Sequence, residues 1–158
     1  MAETNGEPRL RGGCLCGAIR YEISAWPISA VICHCRMCQK GQGAPLSAAA
    51  RFPESAFRFT KGRPRVYKSS AIAERSFCSE CGSPMLMRYA VPPYGPEDLF
   101  VKIGTLDDPD AVRPESHYGV ESQVSWLCIE DDLPRQRCDE DPGMAEAWRL
   151  AGVGTRRG

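Results

Sequence analysis

Between residues 33 and 38 the chain reads Cys-His-Cys-Arg-Met-Cys, three thiols and an imidazole within six residues. Two tighter pairs flank it in sequence, Cys14-Leu15-Cys16 and Cys78-Ser79-Glu80-Cys81. A structural zinc takes four ligands tetrahedrally, and two short-spaced cysteine pairs from distant segments can supply all four. Cys14, Cys16, Cys78 and Cys81 fit that need. Gly82 follows the second pair, so the chain can turn with positive φ while backbone N–H groups point at sulfur. With 61 residues between Cys16 and Cys78, a zinc there closes a long loop and ties an early strand to a late hairpin.

The trio at 33 to 38 is then free for other work. Along an extended backbone successive side chains alternate faces, so Cys33 and Cys35 share a side and His34 faces away. Cys38 can curl back to join them. Three protein ligands with an open fourth position is the catalytic arrangement for zinc, because water or substrate can take the remaining place. Three thiolates leave Zn²⁺ at a net charge of −1 against −2 for four, which makes the better Lewis acid. A substrate thiol that joined such an ion would lose its proton more easily. The alternative is that Cys128, His117 or another distant residue closes this site as well.

The remaining singled-out residues have bland readings. His117 reads as a satisfied structural histidine, with a proton carrier beside the zinc as the alternative. Trp126 and Leu127 read as core, Cys128 as a small buried hydrophobe, and Cys138 as a free exposed thiol in a polar tail. Arg58, Lys61, Arg63, Arg65 and Lys68 form a basic stretch that reads as a solvated hairpin, while Arg36 and Lys40 stand closer to the cysteines. Glu130-Asp131-Asp132 and Asp139-Glu140-Asp141 lack the spacing of a calcium loop.

The elements that hold these residues read as mainly β. Ile19, Tyr21 and Ile23 alternate on one side of a strand, and Phe57-Arg58-Phe59, Leu99 to Ile103, His117-Tyr118 and Gln123 to Leu127 read likewise. Gly62 and Pro64 suggest a hairpin turn joining Phe57-Arg58-Phe59 to Arg65-Val66-Tyr67. Prolines recur so often between 27 and 109 that no long helix fits there. From Arg135 the chain is polar, with at most a short helix around 145–150, and is expected to be peripheral or mobile.

At 158 residues and 42% hydrophobic content, one domain is expected. Lys plus Arg and Asp plus Glu are both 20, which disfavours nucleic acid as a partner and any anionic membrane surface. The charge is uneven, however. Residues 1–79 carry 12 basic and 5 acidic side chains, and residues 80–158 carry 8 and 15. No apolar run has membrane-spanning length or the form of a signal-peptide core, so a cytoplasmic protein is expected. An odd number of clustered cysteines in that compartment points to metal ligands or catalytic thiols rather than disulfides.

Four stretches carry a resemblance: GGCLCGAIRYEI at 12–23, CHCRMCQK at 33–40, FCSECGSPM at 77–85 and SWLCIEDDLP at 125–134. Together they resemble the glutathione-dependent formaldehyde-activating enzyme family, also called the centromere protein V family. The resemblance implies a mainly β, single β-tent type zinc-binding domain of short antiparallel strands over 12–134, with 1–11 as a polar extension and 135–158 as a peripheral tail. It also implies two zinc ions per chain. One is structural, on Cys14, Cys16, Cys78 and Cys81. The other is catalytic and open to loss, on Cys33, Cys35 and Cys38. The implied activity is that of a carbon–sulfur lyase, joining a thiol such as glutathione to an aldehyde such as formaldehyde, or the reverse. A non-catalytic zinc module for a protein or nucleic-acid partner, and a thiol redox sensor, are the rival readings. The thiol, the aldehyde and the oligomeric state stay open.

Overall fold

The computed structural model describes residues 9–92 and 94–152. Most of the N-terminal extension and the last six residues of the tail lie outside the described residues. Two sheets make up the fold. The smaller has the order β1 (Leu10–Gly13), β2 (Arg20–Ile23), β5 (Phe57–Lys61). The larger runs β11 (Arg135–Gln136), β10 (Ser116–Tyr118), β3 (Ser29–Cys33), β4 (Ser47–Pro53), β9 (Asp98–Lys102), β8 (Pro84–Tyr89), β7 (Ala73–Phe77), β6 (Arg65–Lys68). The helices are short: α1 (Arg36–Gln42) follows β3, and α2 (Pro142–Leu150) ends the described chain.

The larger sheet is covered on both faces, and strict alternation divides its side chains between them. On β4, Ala48, Ala50 and Phe52 belong to the main core, where Ile19, Tyr21 and Ile23 from the smaller sheet meet Val101 and Met85. Ser47, Ala49 and Arg51 point the other way, into a cavity. On β9, Leu99 and Val101 are buried in the strand while Phe100 and Lys102 line that same cavity. Phe52 has no exposed surface. Replacing it with alanine is expected to cost about 3–5 kcal/mol, since the sheets on either side cannot close the gap. The urea midpoint would fall accordingly, and an unchanged midpoint would mean that the core lies elsewhere.

Mainly β architecture with little helix is what the strand patterns predict. Several local expectations fail, each for a physical reason. β10 runs parallel to β3 and to β11, so the strands are not all antiparallel. Phe57–Lys61 and Arg65–Lys68 do not form a hairpin, because β5 pairs with β2 and β6 pairs with β7 in the other sheet. Gly62, at φ 61°, is the crossing point. Its ideal Cβ would stand 2.3 Å from the Ala18 carbonyl oxygen, so only glycine passes there. Residues 123–127 form no strand, Trp126 is 73% exposed, and Cys128 is exposed. The first strand begins at Leu10, inside the expected extension.

The tail also departs from expectation over residues 135–152. β11 extends the larger sheet, and α2 buries Ala147 and Trp148 against Ile72, Ala73 and Met87. Asp141 pins this arrangement. Its carboxylate accepts from the α2 N–H groups of Gly143 and Met144 at 3.0 and 3.2 Å, and from the Tyr118 and Tyr94 hydroxyls at 2.9 and 3.0 Å. The polar composition of the tail conceals Met144, Trp148 and Ala151, which recur at helical spacing and pack in the same cluster. Among the described residues, no helix is long and apolar enough to cross a membrane.

Candidate metal centres

Cys14 and Cys16 sit on the turn that follows β1, and Cys78 and Cys81 on the turn between β7 and β8. The turns meet, and all four sulfurs lie within 4.8 Å of one another. Sulfurs at the corners of a tetrahedron with 2.3 Å metal bonds stand about 3.8 Å apart. The Cys14–Cys16 and Cys16–Cys78 separations are 3.6 and 3.9 Å. Their surroundings suit thiolates. The Ile19 N–H donates to Cys14 Sγ at 3.2 Å, and the Ser83 hydroxyl lies 3.1 Å from Cys81 Sγ. Hydrogen bonds from the Ser83 side chain and backbone hold the Cys81 thiol down, to about 6. Gly82, at φ 76°, donates its N–H to the Cys78 carbonyl at 2.8 Å and closes the knuckle. The donor set therefore fits a closed zinc site.

The second group is built where a strand becomes a helix. Cys33 ends β3, Cys35 is the N-cap of α1, and Cys38 lies in the first turn, its N–H 3.4 Å from Cys35 Sγ. Strand alternation aligns the first two and one helical turn returns the third. The three sulfurs are mutually within 4.8 Å, with Cys33 donating to Cys35 at 3.4 Å. Hydrogen bonds from Cys138, Cys33 and Cys38 hold the Cys35 thiol well below the ordinary thiol value. These three thiols fit a zinc with room for a further ligand. They form the floor of a cavity of about 820 Å³, within the usual size of a small-molecule site.

Two buried cations share that cavity. Lys102, 6% exposed, donates from Nζ to the Ser47 hydroxyl at 2.9 Å. Arg75, 7% exposed, donates to Cys38 Sγ at 3.6 Å and to the Ser69 hydroxyl at 2.6 Å, while its Nε has no partner among the described residues. Burial pushes the Lys102 ammonium down, and the charge of Cys38 opposes it. Arg51, on the same wall, is taken up by Asp98. Arg75 and Lys102 escaped sequence reasoning. Lys102 had a local signal, standing between Val101 and Ile103 in the run Leu99–Ile103; Arg75 had none.

His34 faces away from the cysteines, as alternation predicts, and is fully buried. Its Nε2 lies 2.8 Å from His117 Nδ1, and His117 Nε2 lies 2.9 Å from an Asp131 oxygen. If His117 donates to the carboxylate, its Nδ1 accepts from His34 and the Nδ1 of His34 remains a bare acceptor without a partner among the described residues. Burial and His117 both push the His34 pKa down. Neither histidine nor Cys128 lines the cavity, so His117 holds the structural place its segment suggests. Lys40 stands outside the cavity and Arg36 on its edge. The basic stretch is dispersed: Arg58 pairs with Glu22, Lys61 donates to the Gly17 carbonyl, and Arg63 stacks on Phe59.

Cys138 is not the free exposed thiol that its polar setting suggests. It is half-buried and lines the cavity with Cys35, whose neighbourhood pushes the Cys138 thiol up. With Gln136, Arg137, Asp141, Met144 and Trp148 it forms a wall contributed entirely by the tail.

The sequence profile of the glutathione-dependent formaldehyde-activating enzymes matches residues 9–122. The chain belongs to that family. The match spans both cysteine groups and stops before the tail. An uncharacterised lyase of Schizosaccharomyces pombe is similar, 31% identical over 84 residues that make up 52% of this chain and 59% of the relative. The chain thus spans about three fifths of the length of that curated relative. A crystal structure of a Rhodobacter sphaeroides protein is similar in fold, with a TM-score of 0.51 and 25% identity, covering 66% of this chain and 91% of that one.

Proposed function

We propose that the chain is a two-zinc carbon–sulfur lyase that joins a small thiol to an aldehyde and catalyses the reverse cleavage. The observation that carries this reading is the contrast between the two cysteine groups. Four sulfurs close around one point, whereas three stand at the floor of a cavity large enough for a small thiol. Family membership and the lyase name of the S. pombe relative support it. Cys14, Cys16, Cys78 and Cys81 hold the structural zinc, and Cys33, Cys35 and Cys38 the catalytic one. Bound there, zinc supplies Lewis acidity toward the thiol sulfur or the aldehyde oxygen.

The chain's own residues do the rest. Arg75 and Lys102 offset the thiolate charge and draw an anionic substrate such as glutathione inward. In the forward direction the new bond joins sulfur to the aldehyde carbon, and the thiol proton ends on the former carbonyl oxygen. Lys102 with Ser47 is the pair placed to carry that proton. The tail wall keeps bulk water from the reacting atoms. Nine unpaired cysteines accord with a cytoplasmic location.

Because thiols and aldehydes combine spontaneously, the decisive measurement is a rate. Exchange between formaldehyde, glutathione and their adduct, followed by NMR line broadening, is expected to quicken in proportion to added zinc-loaded protein. A thiol without carboxylates should gain less from the same addition. Exchange no faster than in buffer for several thiol and aldehyde pairs would sink the reading.

A further inference from the structure

The tail brings an eighth cysteine to the metal-binding residues, and the sheet fixes where it arrives. Tyr118 of β10 is in register with Cys33 of β3 on one side and with Gln136 of β11 on the other, all three strands running parallel. The strands therefore leave the sheet at the same end. Cys35 and Cys138 each stand two residues beyond those aligned positions, and both line the cavity. Gly119, between them, permits the approach. It sits at φ 69°, and its ideal Cβ would stand 2.9 Å from that of Cys35. Any other residue would push Cys35 and the tail apart.

Cys138 is also held in place by its backbone. Its N–H donates to the Glu121 carboxylate at 3.2 Å, and the Gly119 N–H donates to the Gln136 carbonyl at 2.8 Å. Its sulfur stands outside the set of three sulfurs that are mutually within 4.8 Å. A turn about the Cys138 side-chain bonds is the motion that would bring it into that set. Cys138 lines a cavity of about 820 Å³, into which a released sulfur would turn.

We infer that Cys138 is a fourth, exchangeable thiolate ligand for the zinc held by Cys33, Cys35 and Cys38, a latch carried on the tail and lying outside the family-matched segment. The inference rests on the reading of the second cysteine group as a zinc site. A fourth thiolate takes the net charge of the site from −1 to −2, and Arg75 with Lys102 offsets that charge within the same cavity. A substrate thiol would displace Cys138 from that position and give its proton to the departing Cys138 sulfur, so that one metal–sulfur bond would be exchanged for another with the proton count unchanged. Without substrate, the latch keeps the reactive position closed to stray thiols and retains the metal.

The test uses the full chain stripped of metal under reducing conditions and reloaded with Co²⁺, whose charge-transfer absorption reports the number of bound thiolates. Cys138→Ser and Cys138→Ala are compared with wild type and with Cys128→Ser, a change at an exposed cysteine outside the cavity. Both Cys138 variants are expected to keep two metal ions per chain while losing one thiolate's share of the absorption. Their second ion should pass to a chelator at least about tenfold more readily. Added glutathione should restore the lost absorption in the variants and alter the wild type less. Spectra and chelator competition matching Cys128→Ser would overturn the latch while leaving the two-metal reading in place. Uptake of a single ion by wild type would overturn both.

Discussion

Replacing Cys78 with serine is expected to leave the protein largely unfolded at temperatures where the parent is fully folded. Cys78 is 1% exposed and belongs to the main core as well as to the four-sulfur group. Serine there loses a metal ligand and leaves a hydroxyl in an apolar setting. The larger effect is topological. The four cysteines join the turn after β1 to the turn between β7 and β8, across 61 intervening residues, and so connect the small sheet to the large one. Structural zinc binding in small domains contributes apparent free energies of about 10–16 kcal/mol, against a total stability of about 5–15 kcal/mol for a typical domain. Half of that term matches or exceeds the about 3–5 kcal/mol expected of the Phe52 substitution. Circular dichroism melts should show the variant, and the parent treated with a strong chelator, losing their cooperative transitions together. A Cys78→Ser protein melting within a degree or two of the parent would mean that the packed core alone holds the sheets together.

Cys38→Ser is expected to behave in the opposite way, with the fold retained and turnover lost. Cys33, Cys35 and Cys38 lie within one strand-to-helix turn, so a metal there closes only a short loop and adds little to the tertiary fold. The hydroxyl can still accept from Arg75, which now donates to the Cys38 sulfur at 3.6 Å. Zinc content should fall from two ions per chain to one, and the melting transition should stay cooperative. Lewis-acid stabilisation of developing charge is worth several kcal/mol, and each 1.36 kcal/mol is tenfold in rate. The catalysed exchange rate is therefore expected to drop by at least about a hundredfold. Undiminished exchange with one zinc per chain would place the chemistry away from this group. A collapsed fold would make the group structural.

The two substitutions separate roles that the bare cysteine count leaves merged. The parallel β10 delivers the tail to the end of the large sheet where Cys33 stands. Asp141 then clamps two tyrosines and the start of α2 together. The cavity is consequently a composite, with its floor in the family-matched segment and one wall in a segment that follows it.

The amino-acid sequence alone determined the cysteine groupings, the mainly β character and the turning of His34 away from the cysteines. All three are local: they depend on spacings of two or three residues, on the period of a strand and on the punctuation of prolines. Tertiary structure decided which charged and polar residues join the site. Arg75, Lys102 and Cys138 come from three strands or loops far apart in the chain, and only strand register brings them to one cavity. The tail shows the limit most clearly, because its polar composition argues for solvent while a two-residue parallel strand and one buried tryptophan hold it down. The strand pairs with His117 and Tyr118 and the tryptophan packs on Ile72, Ala73 and Met87, partners from separate stretches of the chain, and no local pattern encodes which partners those will be.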